Sequence, residues 1–295
     1  MAPAHVIGAA GPQPATPARA HSGSRSGLLS WLALAPAVAI CILAVIGPWV
    51  APHNATQVVA KPSIKPNGTY PFGTDSNGLD VFSRVLAGTR NDIVIALATA
   101  VIATGIGIAV GLVIGTNEAR HGPLGWLARF LSRSLDLLQA IPAIVIGLVM
   151  VAFFGTSVET LTIAMIVVLS PNQARLVRTE VLRVRTEAYL DAARMAGERE
   201  ASVTVRHVLP NASWPALENS TLVFGAAILL TATLGFLGVG LHPPTPEWGS
   251  MISTGANDAA VGRWWPALFP ALAIIVSVAS FAAAGHRLFS RSKPG

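Results

Sequence analysis

Cysteine is nearly absent. Cys41 is the single one, set inside an apolar run, so the chain can form no internal disulfide framework and no cysteine-based metal site. It reads as a small packing or lipid-facing residue. Charge is scarce too. Only 12% of the 295 residues are Asp, Glu, Lys or Arg, against roughly 25% in a soluble domain. With 52% hydrophobic residues and a mean hydropathy of +0.58, this deficit points to an integral membrane protein. The net charge of +6 and pI near 10.4 would suggest nucleic acid in a soluble protein. In a membrane protein, orientation signals and the anionic inner leaflet explain them better, and no nucleic-acid partner is expected.

Chemistry-bearing motifs are missing as well. No glycine-rich phosphate loop with a following lysine is present, so the chain has no means of its own to hydrolyse ATP. The seven histidines fall in tails, loops or span ends, and Asp136, Glu159 and Glu218 are scattered near helix ends. A membrane enzyme would need such groups to converge. A self-sufficient secondary transporter would show repeated halves or a mid-membrane charge cluster, and neither is visible.

What is present is a series of apolar runs, read as an all-α integral membrane protein with six transmembrane helices. Residues 1–27, rich in Ala, Pro, Ser and Gly, suggest a disordered cytoplasmic tail. Residues 28–50 are long enough to span. A cleaved signal peptide is the rival reading, but the run is long for its apolar core of roughly 7–15 residues. An extracytoplasmic loop follows over 51–90, where Asp80 caps a short helix with Arg84 in its second turn. A calcium loop at Asp75, Asn77 and Asp80 fails the EF-hand spacing and lacks its bidentate Glu.

A five-helix core is expected over 91–289. Its first helix, 93–115, carries Gly107, Gly111 and Gly115 on one face, a spacing that lets membrane helices approach closely. The next, 130–154, is kinked by Pro142, with Arg133 and Asp136 one turn apart and able to pair. After a tight turn at Gly155, a helix from Glu159 ends or bends its membrane part at Ser170-Pro171. The last two spans are 216–240 and 266–288, joined by the Pro-rich loop that begins at His242. Trp264 and Trp265 sit where an interfacial aromatic belt would place them. A cytoplasmic tail closes the chain at 290–295. Fifteen of the twenty Lys and Arg fall in segments that face inside if both termini are cytoplasmic.

One stretch stands out in this apolar chain. Arg175 to Arg206 holds seven Arg and five acidic residues. Tyr189, Ala192, Ala193 and Ala196 share one helix face, and Asp191, Arg194 and Glu198 another. Gly197 suits a C-cap with positive φ. A second short helix fits Glu198–Leu209, with Ala201, Val205, Val208 and Leu209 as its apolar stripe and Pro210 as its stop. From these residues alone the pair is a docking element or a solvated segment lying on the membrane surface.

Asp191-Ala192-Ala193, three residues, Gly197, nine residues and His207-Val-Leu209-Pro210 resemble the EAA loop of permease subunits in bacterial ATP-driven (ABC) importers. Asp replaces the usual Glu and keeps the charge, and His207 replaces the usual Ile as in the peptide-importer branch. The Pro171-Asn-Gln-Ala-Arg175-Leu-Val-Arg178 run and Tyr189 look like the same branch. Gly73-Thr74-Asp75, Gly78, Asp80, Ser83 and Arg84 resemble the segment after the first helix of dipeptide/oligopeptide C-type permeases. Residues 236–240 and 243–249 resemble that family's segment before the last helix. Leu79 stands in place of the usual Arg, Thr231 lies where many members carry an intramembrane Glu, and the usual ending after Ala284 is missing.

The resemblance implies an inner-membrane, multi-pass, non-catalytic subunit that pairs with a homologous permease. It implies one or two cytoplasmic ATPase subunits that bind ATP and Mg, with no cofactor in this chain, and an extracytoplasmic binding protein that delivers the cargo, a di- or oligopeptide or alternatively nickel or another small solute. It also implies ATPase coupling through a loop at about 175–212, with Glu187, Tyr189, Asp191, Ala192, Ala193, Arg194, Ala196, Gly197, Glu198, His207, Leu209 and Pro210 as the contact residues.

Overall fold

A computed structural model describes residues 26–290, with side chains over 34–289. The two terminal tails expected from the sequence lie outside the described residues, except that Ser26, Gly27 and Ser290 are helical. Among the described residues the regular structure is helical, with one isolated bridge between Thr74 and Asp80. The helices are α1 Ser26–Val50, α2 Val81–Asn117, α3 Pro123–Ala140, α4 Ala143–Phe154, α5 Val158–Val184, α6 Ala188–Met195, α7 Glu200–Val203, α8 Leu209–Phe236, α9 Trp248–Ala260 and α10 Trp265–Ser290. Four helices are long and apolar enough to cross a membrane alone: α2, α5, the continuous Glu200–Phe236 helix and α10. The α3–α4 pair makes a fifth if taken as one span, and the Leu34–Val50 part of α1 is a shorter apolar helix.

Several expectations need correction. Residues 81–90, expected in the loop, are the first turns of α2. Asp80 caps this long helix and no short one, accepting from the Ser83 backbone N–H. At 37 residues, α2 is about 55 Å long, well beyond the hydrocarbon thickness of about 30 Å. The kinked helix expected over 130–154 is instead α3 and α4, which meet at 92°. Ile141 before the proline is extended, at φ −87° and ψ 129°, because the proline ring disfavours a helical conformation there. Asp136 pairs not with Arg133 but with Arg175 of α5, at 2.8 Å. Pro171 does not end α5, which runs through it to Val184 with the proline buried.

Pro210 does not stop a helix either. A π turn, Thr204–Val208, joins α7 to α8, and Leu209 N–H reaches back five residues to the Thr204 carbonyl. Proline has no N–H and its ring crowds the carbonyl four residues back. The wider π turn just ahead of it accommodates that crowding. The extra residue also shifts the helix phase, so the buried positions are Val203, Val208, Ala212 and Ala216. Ala201 and Val205 of the expected stripe are exposed.

The glycine stripe of α2 does face α5. Methyl groups on Gly107, Gly111 or Gly115 would strike Gln173, Ala174 and Val181 respectively. A buried polar knot sits in the same contact: Gln173 donates to Thr104 Oγ1 of α2 and to the Ala216 carbonyl of α8, and accepts from Asn219. The main core gathers Ile93, Phe224, Ile228, Trp248 and Trp265 between α2, α8, α9 and α10.

Candidate functional site

Two regions hold the residues singled out in the sequence, one at each end of the bundle. The first is built on α6. Leu190 is fully buried against Val181, Val184, Val203 and Val208, which fixes the short helix by one anchor. Ala193 packs partly against the same cluster, while Tyr189, Ala192 and Ala196 are exposed. Glu187 is the exposed N-cap residue, without a side-chain cap bond. The helix closes in a Schellman motif: Glu198 N–H bonds to the Ala193 carbonyl and Gly197 N–H to that of Arg194. Gly197 has φ +85° as expected, with open space where a side chain would project.

Charged side chains finish the element. Arg194 bonds to Asp191 at 2.8 Å and Glu200 at 3.0 Å, and the hydrogen bond to Asp191 is the largest cause holding its guanidinium proton more tightly than usual. Glu198 does not join that face. It stands 3.4 Å from His207 Nε2 and 3.7 Å from Arg206, ion-pair separations without hydrogen-bond geometry at the histidine. Asn211 donates to both the Tyr189 hydroxyl and the His207 carbonyl. Asn211, through the Tyr189 hydroxyl, therefore ties α6 to the start of the long helix. Leu209 and Pro210 follow the π turn as the first residues of α8. Behind α6, Arg185 donates to the Gly115 and Thr116 carbonyls at the end of α2, and Arg178 pairs with Glu118 at 2.8 Å. These contacts were not legible beforehand, because the two arginines lie about sixty to seventy positions from the end of α2.

The second region is the cap formed by 51–80 and 242–264. Gly73 and Gly78 have φ of +71° and +77°. Thr74 is buried, donates to the Lys61 carbonyl and accepts from Ile64 N–H. Asp75 Oδ1 accepts from the N–H groups of Asn77 and Leu79. Burial pushes its carboxyl above the usual range, opposed by those two N–H groups and by the Arg84 charge. Asp80 accepts from Ser83 through both N–H and hydroxyl, and its carboxylate stands 3.1 Å from His53 Nδ1. Arg84 Nη1 bonds to the Ala55 and Pro244 carbonyls. Thr74 and Asp75 thus brace the loop internally, and Asp80, Ser83 and Arg84 pin it to α2.

Three features of this cap were missed or misplaced. α9 was read as loop, although its buried Trp248, Met251, Gly255 and Asp258 recur at helical spacing. Its N-cap, Glu247, is fully buried and accepts from the N–H groups of Gly249 and Ser250. Burial raises its carboxyl above the ordinary value. Trp248 N–H, the next donor along, goes to Asp92 of α2. Trp265 is not part of an interfacial belt. It is 3% exposed and donates to the Thr74 carbonyl, whereas Trp264 is exposed.

This arrangement can be set beside known proteins. Residues 107–293 match the family described as binding-protein-dependent transport system inner membrane component. The chain belongs to that family. This permease is 35% identical over 265 residues to the di/tripeptide transport system permease DppC of Pseudomonas aeruginosa, covering 88% of this chain and 83% of that one. It is 34% identical over 253 residues to the glutathione transport system permease GsiD of Escherichia coli, covering 85% and 81%. A solved structure of the MetNI methionine ABC transporter in an inward-facing conformation has the same fold, with a TM-score of 0.58 at 18% identity over 70% of this chain and 95% of that one. The protein is therefore a multi-pass inner-membrane permease subunit of an ATP-driven importer, with no catalysis of its own. The family implies a partner permease, an ATPase and a binding protein.

Proposed function

We propose that this permease imports di- or oligopeptides with a homologous second permease, and that α6 with the start of the long helix seats in a cytoplasmic ATPase subunit. The reading places both termini and the α6 region in the cytoplasm, and the 51–80 and 242–264 cap on the side met by the binding protein. The supporting observation is the build of α6. It is a short capped helix of about two turns that exposes small residues outward, while its anchor and its arginine neighbours connect inward to α2, α5 and α8. Small residues let another surface approach closely, and rigid connection lets a push on α6 reach the bundle as a lever. In this reading ATP and Mg act on the ATPase subunits, one or two of them, and their closure moves the permease pair between inward- and outward-facing states. The named relatives carrying di/tripeptides and glutathione favour a peptide or peptide-like cargo.

The test uses Gly197→Asp and Asp191→Lys in the complex co-expressed with its ATPase. Since Gly197 faces open space, the new side chain meets nothing within this chain, and the positive φ costs only about 1–2 kcal/mol. Membrane insertion should be retained while ATPase recovery on co-purification and uptake are lost. Normal ATPase recovery with both variants would remove the docking role.

A further inference from the structure

A cavity of about 350 Å³ opens in the cap, between residues 56–58, the 75–81 turn, the Pro243–Pro244 loop and α9. Its volume is at the small end for ligand sites. Two charged residues line it, Asp75 and Arg84, one of each sign. They are 8% and 7% exposed, yet they make no ion pair with each other among the described residues. Each has capacity left over. Arg84 spends Nη1 on two carbonyls, and its Nη2 makes no hydrogen bond among the described residues. Asp75 spends Oδ1 on two N–H groups, and Oδ2 accepts none among the described residues. These two leftover groups are open to an occupant of the cavity, whereas the enclosed Arg84 Nε is out of its reach.

The remaining wall narrows the chemistry. Ser250 and Thr254 have committed their hydroxyl protons to the carbonyls of Glu247 and Ser250, so toward the cavity they offer lone pairs. These suit a cationic donor and not a second anion. Leu79, Val81 and Met251 give an apolar side to the same space. One donor cation, one acceptor anion, additional acceptors and a short apolar wall match a molecule with a carboxylate at one end and an ammonium at the other. A simple anion would leave Asp75 facing it, and a simple amine would leave Arg84 without its acceptor.

We propose that this cavity binds a small zwitterion of the amino-acid or dipeptide class, its carboxylate on Arg84 and its ammonium on Asp75. The assignment stands whether or not the transported cargo is a peptide, since it rests on the cap alone, away from α6.

The full-length permease in lipid nanodiscs is titrated with alanine, dialanine, acetate and methylammonium, and binding is read by calorimetry and by the shift in thermal midpoint. Alanine or dialanine should bind at least about tenfold more tightly than either one-ended probe. Thr254→Trp, at an exposed position on the rim, and Val58→Trp on the opposite lip should each abolish the midpoint shift and leave the unliganded midpoint in place. Equal binding of acetate and alanine, or zwitterion binding that survives both tryptophan variants, would mean an adventitious additive only and overturn the site. No binding of any probe at saturating concentration overturns it too. Loss of the site would leave the α6 docking test unaffected.

Discussion

The two ends of the permease are held by different kinds of interaction. The cap is stapled from inside. Thr74, Asp80, Glu247 and Trp265 are all nearly or fully buried and hydrogen-bonded: Asp80 and Glu247 cap α2 and α9, while Thr74–Lys61, Asp80–His53 and Trp265–Thr74 join segments far apart in sequence. Buried bonds of this kind are costly to leave half-made. The α6 end depends on one apolar anchor, Leu190, and on ion pairs at the surface such as Arg194–Asp191, whose acid is 72% exposed. Exposed pairs contribute about 0–1 kcal/mol. A region stapled from within keeps one shape. A region with one anchor and an open face is complete only against something else, which is the state expected of a docking element.

Four variants, one of them double, sharpen this contrast. The largest effect is expected at Leu190→Ala, which empties a packed site and should cost about 2–5 kcal/mol. The loss should be local. Amide exchange over 188–195 should rise while the cap stays protected, and uniform loosening of the whole chain would contradict the single-anchor picture. Next comes Asp80→Ala, which leaves the Ser83 groups and His53 without their acceptor. It should lower stability by about 2–3 kcal/mol, seen as a lower thermal midpoint in detergent with ATPase co-purification intact. Loss of ATPase recovery there would break the separation of the two ends.

The cap should also respond to pH. Asp75 and Glu247 both have carboxyl groups raised by burial, so the folded state holds their protons more tightly than the unfolded one does. Their contribution is fully present below the ordinary carboxylate value and declines as pH rises through the raised ones. Thermal midpoints measured from pH 4 upward, roughly spanning that range, should therefore show a fall that Asp75→Asn with Glu247→Gln flattens. An unchanged slope in the double variant would show that other groups set it. The smallest effect is expected at Arg194→Ala, within about 1 kcal/mol, because both its partners are exposed. A large drop in midpoint would mean that the surface pairs stabilise α6 more than the comparison allows.

Much of this architecture was legible in the sequence, and the failures share a cause. Hydrophobic runs located the membrane helices. The Gly107–Gly111–Gly115 spacing pointed to close packing, and Gly197 to a left-handed cap. The α6 and outer-motif residues could be picked out by their resemblance to the family's motifs. Proline was misjudged in both directions. Pro142 breaks its helix at 92°, because Ile141 before it is extended, while Pro171 and Pro210 are absorbed, one at a buried position within α5 and the other by a π turn. Proline's local chemistry is the same in all three, and the neighbours decide the outcome. α9 was hidden because its cap, Glu247, is an acidic residue in a run of prolines, and its partners Asp92 and Gly235 lie on other helices. Long-range polar closure of that kind leaves no periodic trace.

The π turn at Thr204–Val208 has a further consequence. A helix carrying one residue more than its regular winding needs works as a phase shifter between its two halves. Removing one residue from 204–208 would restore regular winding and turn Glu200–Val203 by about 100° about the helix axis relative to α8. Val203 would then leave the Leu190 cluster and Glu200 would swing away from Arg194. An insertion or deletion there rotates one half of the helix against the other, so chimeras between related permeases should be joined on one side of this turn and never within it.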